Sequence, residues 1–243
     1  RKELQSLKLP DLSRTRPVID PVRSLRERPI IAEIKKSSPS RGTINASGDI
    51  ASRALAYERG GAGAISVLTD SRFFHGSFDS LSIISGSAGV PILCKDFILG
   101  EVQIDNAYLH GADFILLIVA VLNVRELLIL SSRARRYSMK VLYEIHNVDE
   151  FRKIRPLDPE MVGVNSRDLT TFAIDRERAA VTIASLRGEF LKVAESGIES
   201  PKHVAHYRSA GADAFLIGTA LMTAEYPEGR IRAFHRALGA PCS

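Results

Sequence analysis

Five stretches of this 243-residue chain end an apolar run with residues able to move protons or hold anions. Glu33 and Lys35 close the first, Lys95 and Asp96 the second, and Glu144 sits late in the third. Asn165, Arg167 and Asp168 follow the fourth, and Glu195 with Ser196 the fifth. An ammonium or carboxylate set against apolar strands costs several kcal/mol, of order, unless it is paired. Lysines and glutamates meeting around one mouth would compensate each other, and such clusters shift pKa values as general acid/base catalysis requires. Glu33 and Lys35 are two apart, so an extended strand points them to the same side.

The elements that must bring these residues together are legible as eight short apolar runs. They are 29–34, 64–68, 91–94, 114–122, 141–145, 161–164, 190–194 and 214–217. All are β-branched and continuously apolar rather than alternating, the pattern of parallel strands covered on both faces. Helical patterns lie between them. Asn123 with Glu126 reads as a capping box, Ser200-Pro201 as a cap followed by proline at the first helical position, and Gly60, Gly111 and Gly211 as helix stops. A weak repeat precedes three of the strands: Gly61-Ala62-Gly63, Gly111-Ala112-Asp113 and Gly211-Ala212-Asp213.

Eight strand-helix units in about 250 residues predict an α/β fold, a closed (β/α)8 or TIM barrel. An open doubly wound sheet is the rival, but no Gly-x-Gly-x-x-Gly follows the first strand. Residues 29–243 are expected to form the barrel. Residues 1–28, interrupted by Pro10, Pro17 and Pro21, are expected to be a short irregular lead-in. The chain opens on Arg1, as a trimmed start would.

Composition narrows the function classes. With 45% hydrophobic and 25% charged residues, the chain can bury a full core. Its net charge of +5 favours an anionic ligand, yet no lysine/arginine run is long enough for a nucleic-acid arm. The apolar stretch around 114–123 is shorter than the roughly 20 residues of a membrane helix. Cys94 and Cys242 make no disulfide framework and no secretory signal opens the chain, so a cytoplasmic protein is expected.

In a barrel of this kind the site lies at the carboxyl ends of the strands. The fourth run brings no charge there and would form an apolar wall for a flat part of a substrate, or simply core. Ser196-Gly197 and Gly218-Thr219 let backbone approach a ligand and suit a phosphate, though tight turns would look the same. His203 and His206 lie on a helix away from the mouth, and no metal is expected. His146 follows Glu144 by two and could face the mouth. Cys94 should point opposite to Lys95, into the packing between strand and helix.

Read as a set, these strand ends resemble one family. IIAEIKKSSPSRG (Ile30–Gly42), ILCKDFI (Ile92–Ile98), LLIVAVL, LYEIHN, GVNSRDL (Gly163–Leu169), VAESGI (Val193–Ile198) and FLIGTALM (Phe215–Met222) are similar to motifs of the indole-3-glycerol phosphate synthase family. The resemblance implies a cofactor-free reaction of tryptophan biosynthesis. In it, 1-(2-carboxyphenylamino)-1-deoxyribulose 5-phosphate closes a ring, loses carbon dioxide and loses water. It implies Lys95 as general acid, Glu144 as the acid/base carboxylate, and Lys35 as a second lysine near the substrate carboxylate and phosphate. Glu33, Asn165, Glu195 and Ser196 would orient substrate and lysines, and Ser196, Gly197, Gly218 and Thr219 would cradle the phosphate. Phe74, Phe97, Leu116, Leu169 and Ile217 would line the pocket for the anthranilate ring. Arg167 would touch substrate or clamp Glu195, and Ser38 lies in the loop Ser37–Gly42 that would close over the ligand.

The implied partner is therefore a small phosphorylated, anthranilate-derived substrate, with no nucleic acid and no membrane, on a monomer or weak homodimer. Two departures stand out: a lead-in shorter than the family's usual N-terminal segment, and Ala120 where some relatives place a lysine. The other phosphate-binding barrels of the same pathway, and a ligand-binding barrel without turnover, remain alternatives.

Overall fold

The computed structural model describes residue 9, residues 13–35 and 49–239, and the backbone of 37–38 and 42–43. Eight parallel strands close into a barrel: β1 (Ile30–Ile34), β2 (Ala64–Leu68), β3 (Ile92–Lys95), β4 (Phe114–Ile118), β5 (Lys140–Ile145), β6 (Met161–Asn165), β7 (Leu191–Glu195) and β8 (Ala214–Ile217). Neighbours in space follow neighbours in sequence, and β1 pairs with both β2 and β8. The expected (β/α)8 barrel is thus present, with one difference at the fourth strand. It ends at Ile118, and Val119–Val121 turn into a 3-10 segment before the next helix.

Each strand divides its side chains between two apolar layers. Ile31, Ala64, Leu93, Phe114, Leu116, Leu142, Met161, Val193, Ala214 and Leu216 fill the barrel interior. The alternate residues, among them Ala32, Ile65, Cys94, Ile115, Tyr143, Val164, Ala194, Phe215 and Ile217, pack outward against the helices. Cys94 lies in that outer layer, where burial pushes its thiol up and makes it unreactive. Cys242 lies outside the described residues.

The helices start and stop largely where the chain's chemistry dictates. Asn123 and Glu126 exchange backbone hydrogen bonds of 2.9 Å at the start of the helix Val124–Arg136. The helix Ile50–Arg59 stops at Gly60 as expected, with Gly60 itself still right-handed. Gly61, Gly111 and Gly211 take the left-handed turn instead, with φ of 96°, 93° and 95°. Ser200 precedes Pro201 as expected but makes no side-chain cap bond.

The lead-in is not irregular throughout. Asp20 caps a short helix, α1 (Pro21–Glu27), whose Leu25 enters the barrel interior with Val22 packed beside it. Ser24 Oγ donates 2.6 Å to the Gly63 carbonyl just ahead of β2, so α1 closes the amino-terminal end. Upstream, Arg14 donates 2.7 Å to the fully buried Asp113 and 2.6 Å to the Ala112 carbonyl, and Arg16 also pairs with Asp113. The same carboxylate accepts from the backbone N–H groups of Ile19 at 3.0 Å and Ile92 at 2.8 Å.

Candidate active site

A cavity of about 570 Å³ opens at the carboxyl ends of the strands. Its base is ionic. Lys35 Nζ donates 2.7 Å to Glu33 Oε1, both from β1 or its end, and Lys95 Nζ from β3 lies 3.6 Å from Glu33 Oε2. Glu144 from β5 and Glu195 from β7 complete the ring, each 1% exposed, with Asn165 of β6 between them.

These charges set one another's protonation. Burial alone would push the Glu33 carboxyl up, but the adjacent ammonium groups of Lys35 and Lys95 outweigh it and hold Glu33 below its usual range. Burial would equally pull Lys95 down, yet Glu33, Glu144 and Glu195 together raise it, so its ammonium is firmly charged at neutral pH. Glu195 goes the other way. Burial and the negative charges of Glu144 and Glu33 push its carboxyl well above the ordinary glutamate range, and Lys95 only partly offsets them.

Around the charges stands an apolar wall. Phe74 stacks on Phe97 at 6.4 Å and Phe73 meets it edge-on at 5.8 Å, while Leu68, Leu116, Ile118, Leu169 and Leu216 continue the lining. Ile217 does not belong to it. Its side chain faces the helical layer, and Leu216, one residue earlier and of opposite parity, lines the cavity. Pairing of Ile217 with Ala32, itself in the outer layer, fixes that register. The alternation of Ala214 and Leu216 against Phe215 and Ile217 was the available signal, masked because all four are apolar.

The remaining expected residues fall around the rim. Ser196 and Gly197 both adopt left-handed backbone, φ 66° and 67°, and a Cβ on Gly197 would lie 2.7 Å from Ile174 Cγ2. Gly218 and Thr219 face them at the start of the one-turn helix Thr219–Met222. A Cβ at Gly218 would lie 2.3 Å from Glu33 Oε1 and 2.8 Å from Lys35 Nζ, so this glycine makes room for the ion pair itself. Arg167 lines the cavity and donates 3.1 Å to the Phe172 carbonyl; among the described residues it makes no ion pair with Glu195. The Ser38 side chain lies outside the described residues, although backbone 37–38 pairs antiparallel with 42–43.

Residues that sequence reasoning missed are mostly of the wall: Phe73, Leu68, Ile118, Phe172 and Ile174. His146 is buried beside the site rather than lining it, its ring nitrogen 3.3 Å from Glu150. A second cavity, of about 520 Å³, lies around the start of β5 near Val18 and Asp20, where Lys140 is already paired with Glu160 at 2.6 Å. Among the described residues no group of three or more His, Cys, Asp or Glu is placed to hold a metal.

An eight-stranded barrel with this ring of lysines and glutamates could host several reactions, so comparison with known proteins decides the family. The family model described as indole-3-glycerol phosphate synthase matches residues 2–234. The chain belongs to this family. A relative named indole-3-glycerol phosphate synthase from Bacillus cereus strain B4264 is 42% identical over 203 residues, covering 83% of this chain and 80% of the relative. Another, from Bacillus mycoides, is 41% identical over the same shares. Likeness among solved structures extends to remoter barrels. A thiamine phosphate pyrophosphorylase from Pyrococcus furiosus (TM-score 0.64, 14% identity, 88% of this chain and 98% of that one) and a 3-hexulose-6-phosphate synthase (TM-score 0.65, 15% identity, 86% and 98%) share the fold. Membership of the synthase family makes the chain a carboxy-lyase of tryptophan biosynthesis.

Proposed function

We propose that this basin binds 1-(2-carboxyphenylamino)-1-deoxyribulose 5-phosphate and carries it through ring closure, decarboxylation and dehydration to indole-3-glycerol phosphate. The observation that carries the reading is the charge ring over an aromatic wall: Lys95 meets Glu33 at 3.6 Å, with Glu144 and Glu195 buried beside it. Ring closure places negative charge on the ketose oxygen, and Lys95, kept charged by three carboxylates, is the acid that neutralises it. Lys35, fixed on Glu33, offers its remaining hydrogen-bonding capacity to the substrate's carboxylate and phosphate. Carbon dioxide then leaves with its bonding pair returned to the ring system, and Glu144 serves the proton movements of dehydration.

The anthranilate ring fits against Phe74, Phe97, Leu116, Leu169 and Leu216. The phosphate fits the turns at Ser196-Gly197 and Gly218-Thr219, where loops after the seventh and eighth strands precede a short helix. Arg167 reaches substrate from the rim, and Asn165 holds the Arg167 backbone at 2.9 Å.

The test is direct. Incubated with this substrate, the protein should produce indole fluorescence, and Lys95→Ala should lower turnover by a factor on the order of 10² or more. Tight binding of the substrate without indole product would overturn the assignment in favour of a binding barrel. Undiminished turnover by Lys95→Ala would remove Lys95 as the acid.

A further inference from the structure

Two of the buried carboxylates lack the partners such groups normally have. Among the described residues Glu144 Oε1 and Glu195 Oε1 are both inaccessible to solvent and accept no hydrogen bond. Lys95 does not satisfy them; its nearest carboxylate oxygen is Glu33 Oε2. The two groups stand on strands that are not neighbours, since β6 runs between β5 and β7. What lies between them is Gly163, which pairs with Glu144 on one side and with Val193 on the other. A Cβ on Gly163 would stand 1.9 Å from Glu195 Oε1 and 3.0 Å from its carboxyl carbon. The Glu195 carboxyl therefore lies folded across a bare Cα, into space that any other residue would fill. From there it lies over the strand position paired with Glu144, so two buried carboxyl groups crowd one small space, an arrangement that favours a proton on one of them.

We propose that Glu195 carries a proton in the resting enzyme and shares it with Glu144, and that Gly163 is the notch that permits this pair. The reading deepens the proposed function by assigning the proton lent to the departing hydroxyl. The balance of that reaction accommodates such a loan, because one proton leaves with water and one is released by the methylene. Lys95 protonates the ketose oxygen as the C–C bond forms. The carboxylate departs as carbon dioxide and leaves its electron pair with the ring. The new hydroxyl then leaves as water, taking a second proton, and the methylene beside nitrogen loses one. With the pair holding one proton, Glu144 passes it to the departing hydroxyl, and the pair recovers one from the methylene. Lys95 is reprotonated from solvent, so one proton is taken up per turnover, matching the carboxylate lost as neutral gas.

Glu195 acts through Glu144 and is a positioning and proton-holding residue. The charged groups facing it are Glu144 of β5, Lys95 of β3 and Glu33 of β1, the last bonded to Lys35; Lys95 opposes protonation, and it is shared among all three carboxylates.

Infrared spectra of the free protein separate this proposal from the assignment of the reaction, because they need no substrate. A protonated-carboxyl band should be present at pH 7, should titrate away at higher pH, and should be missing from Glu195→Gln and Gly163→Ala. In turnover, Glu195→Gln should lower kcat by a factor on the order of 10² with KM within about threefold, and should lose the decline of kcat that accompanies titration of the pair. Absence of the band at pH 7 in the unmodified protein would overturn the proposal. So would its persistence in folded Glu195→Gln, which places the proton elsewhere, Asp96 being another buried carboxyl. Should Gly163→Ala fail to fold, Glu195→Gln carries both readouts. Failure of the unmodified protein to make indole product would refute the reaction assignment while the band still decides the shared proton.

Discussion

The two ends of this barrel bury carboxylates in opposite ways. At the amino-terminal end Asp113 is wholly enclosed and receives two guanidinium groups and two backbone N–H groups, so its charge is fully answered. At the other end Glu144 and Glu195 are equally enclosed, and among the described residues each keeps an oxygen that no guanidinium, ammonium or backbone N–H answers. Geometry at the first end is spent on holding the lead-in against the barrel. At the second it is left open for a ligand, and the cost appears as a raised carboxyl rather than as an added bond. Full satisfaction makes a fastening; incomplete satisfaction makes a reactive site.

That contrast can be attacked from either end. Removing Asp113 with Asp113→Ala strands Arg14 and Arg16 in a partly buried setting and should destabilise the fold by about 3–5 kcal/mol. A lowered urea midpoint would report it, and turnover per folded molecule should change little. Gly218→Ala should do the reverse. Its methyl group would press on Glu33 and Lys35, and a shift of about 1 Å in the ammonium proposed to hold the substrate should cost turnover by a factor on the order of 10². Its urea midpoint should move far less than that of Asp113→Ala. If Gly218→Ala were as unstable as Asp113→Ala and fully active when folded, the two ends would not differ as described.

The smallest expected effect is in the pH dependence of stability. A carboxyl raised by folding stabilises the native state below its unfolded value, and that contribution is lost as pH rises toward the folded value. Glu195 should therefore make stability decline with pH above the ordinary glutamate range, with a slope of at most about 1.4 kcal/mol per pH unit. Denaturant titrations of the unmodified protein and Glu195→Gln at several pH values should differ by this declining component. Glu33, held low by the lysines, works with the opposite sign and is common to both proteins.

Most of the site was legible because its residues are charged and its neighbours are not. Glu33, Lys95, Glu144 and Glu195 each interrupt an apolar run at its carboxyl end, and a parallel barrel leaves one place for such ends to meet. The wall was harder to read. Leu216 and Ile217 are both apolar, and only the pairing of β8 with β1 says which looks inward. α1 was hidden by the prolines on either side of it, although Asp20-Pro21 is itself a start signal once a helix is suspected. Gly163 illustrates a third kind of gap. Its residue type is plain in the sequence, but its purpose depends on the course of a side chain one strand away.

Because Leu25 and the residues above it fill the barrel's core, the reacting chamber is a cul-de-sac. Among the described residues its lining reaches the surface at Phe73, Leu169 and Phe172, so in the proposed reaction substrate, carbon dioxide, water and indole-3-glycerol phosphate would pass these side chains. The gas released midway has to slip past a bound intermediate still occupying the chamber. Crowding at that threshold would slow arrival and departure alike, so bulk added there tunes throughput without touching a single reacting atom.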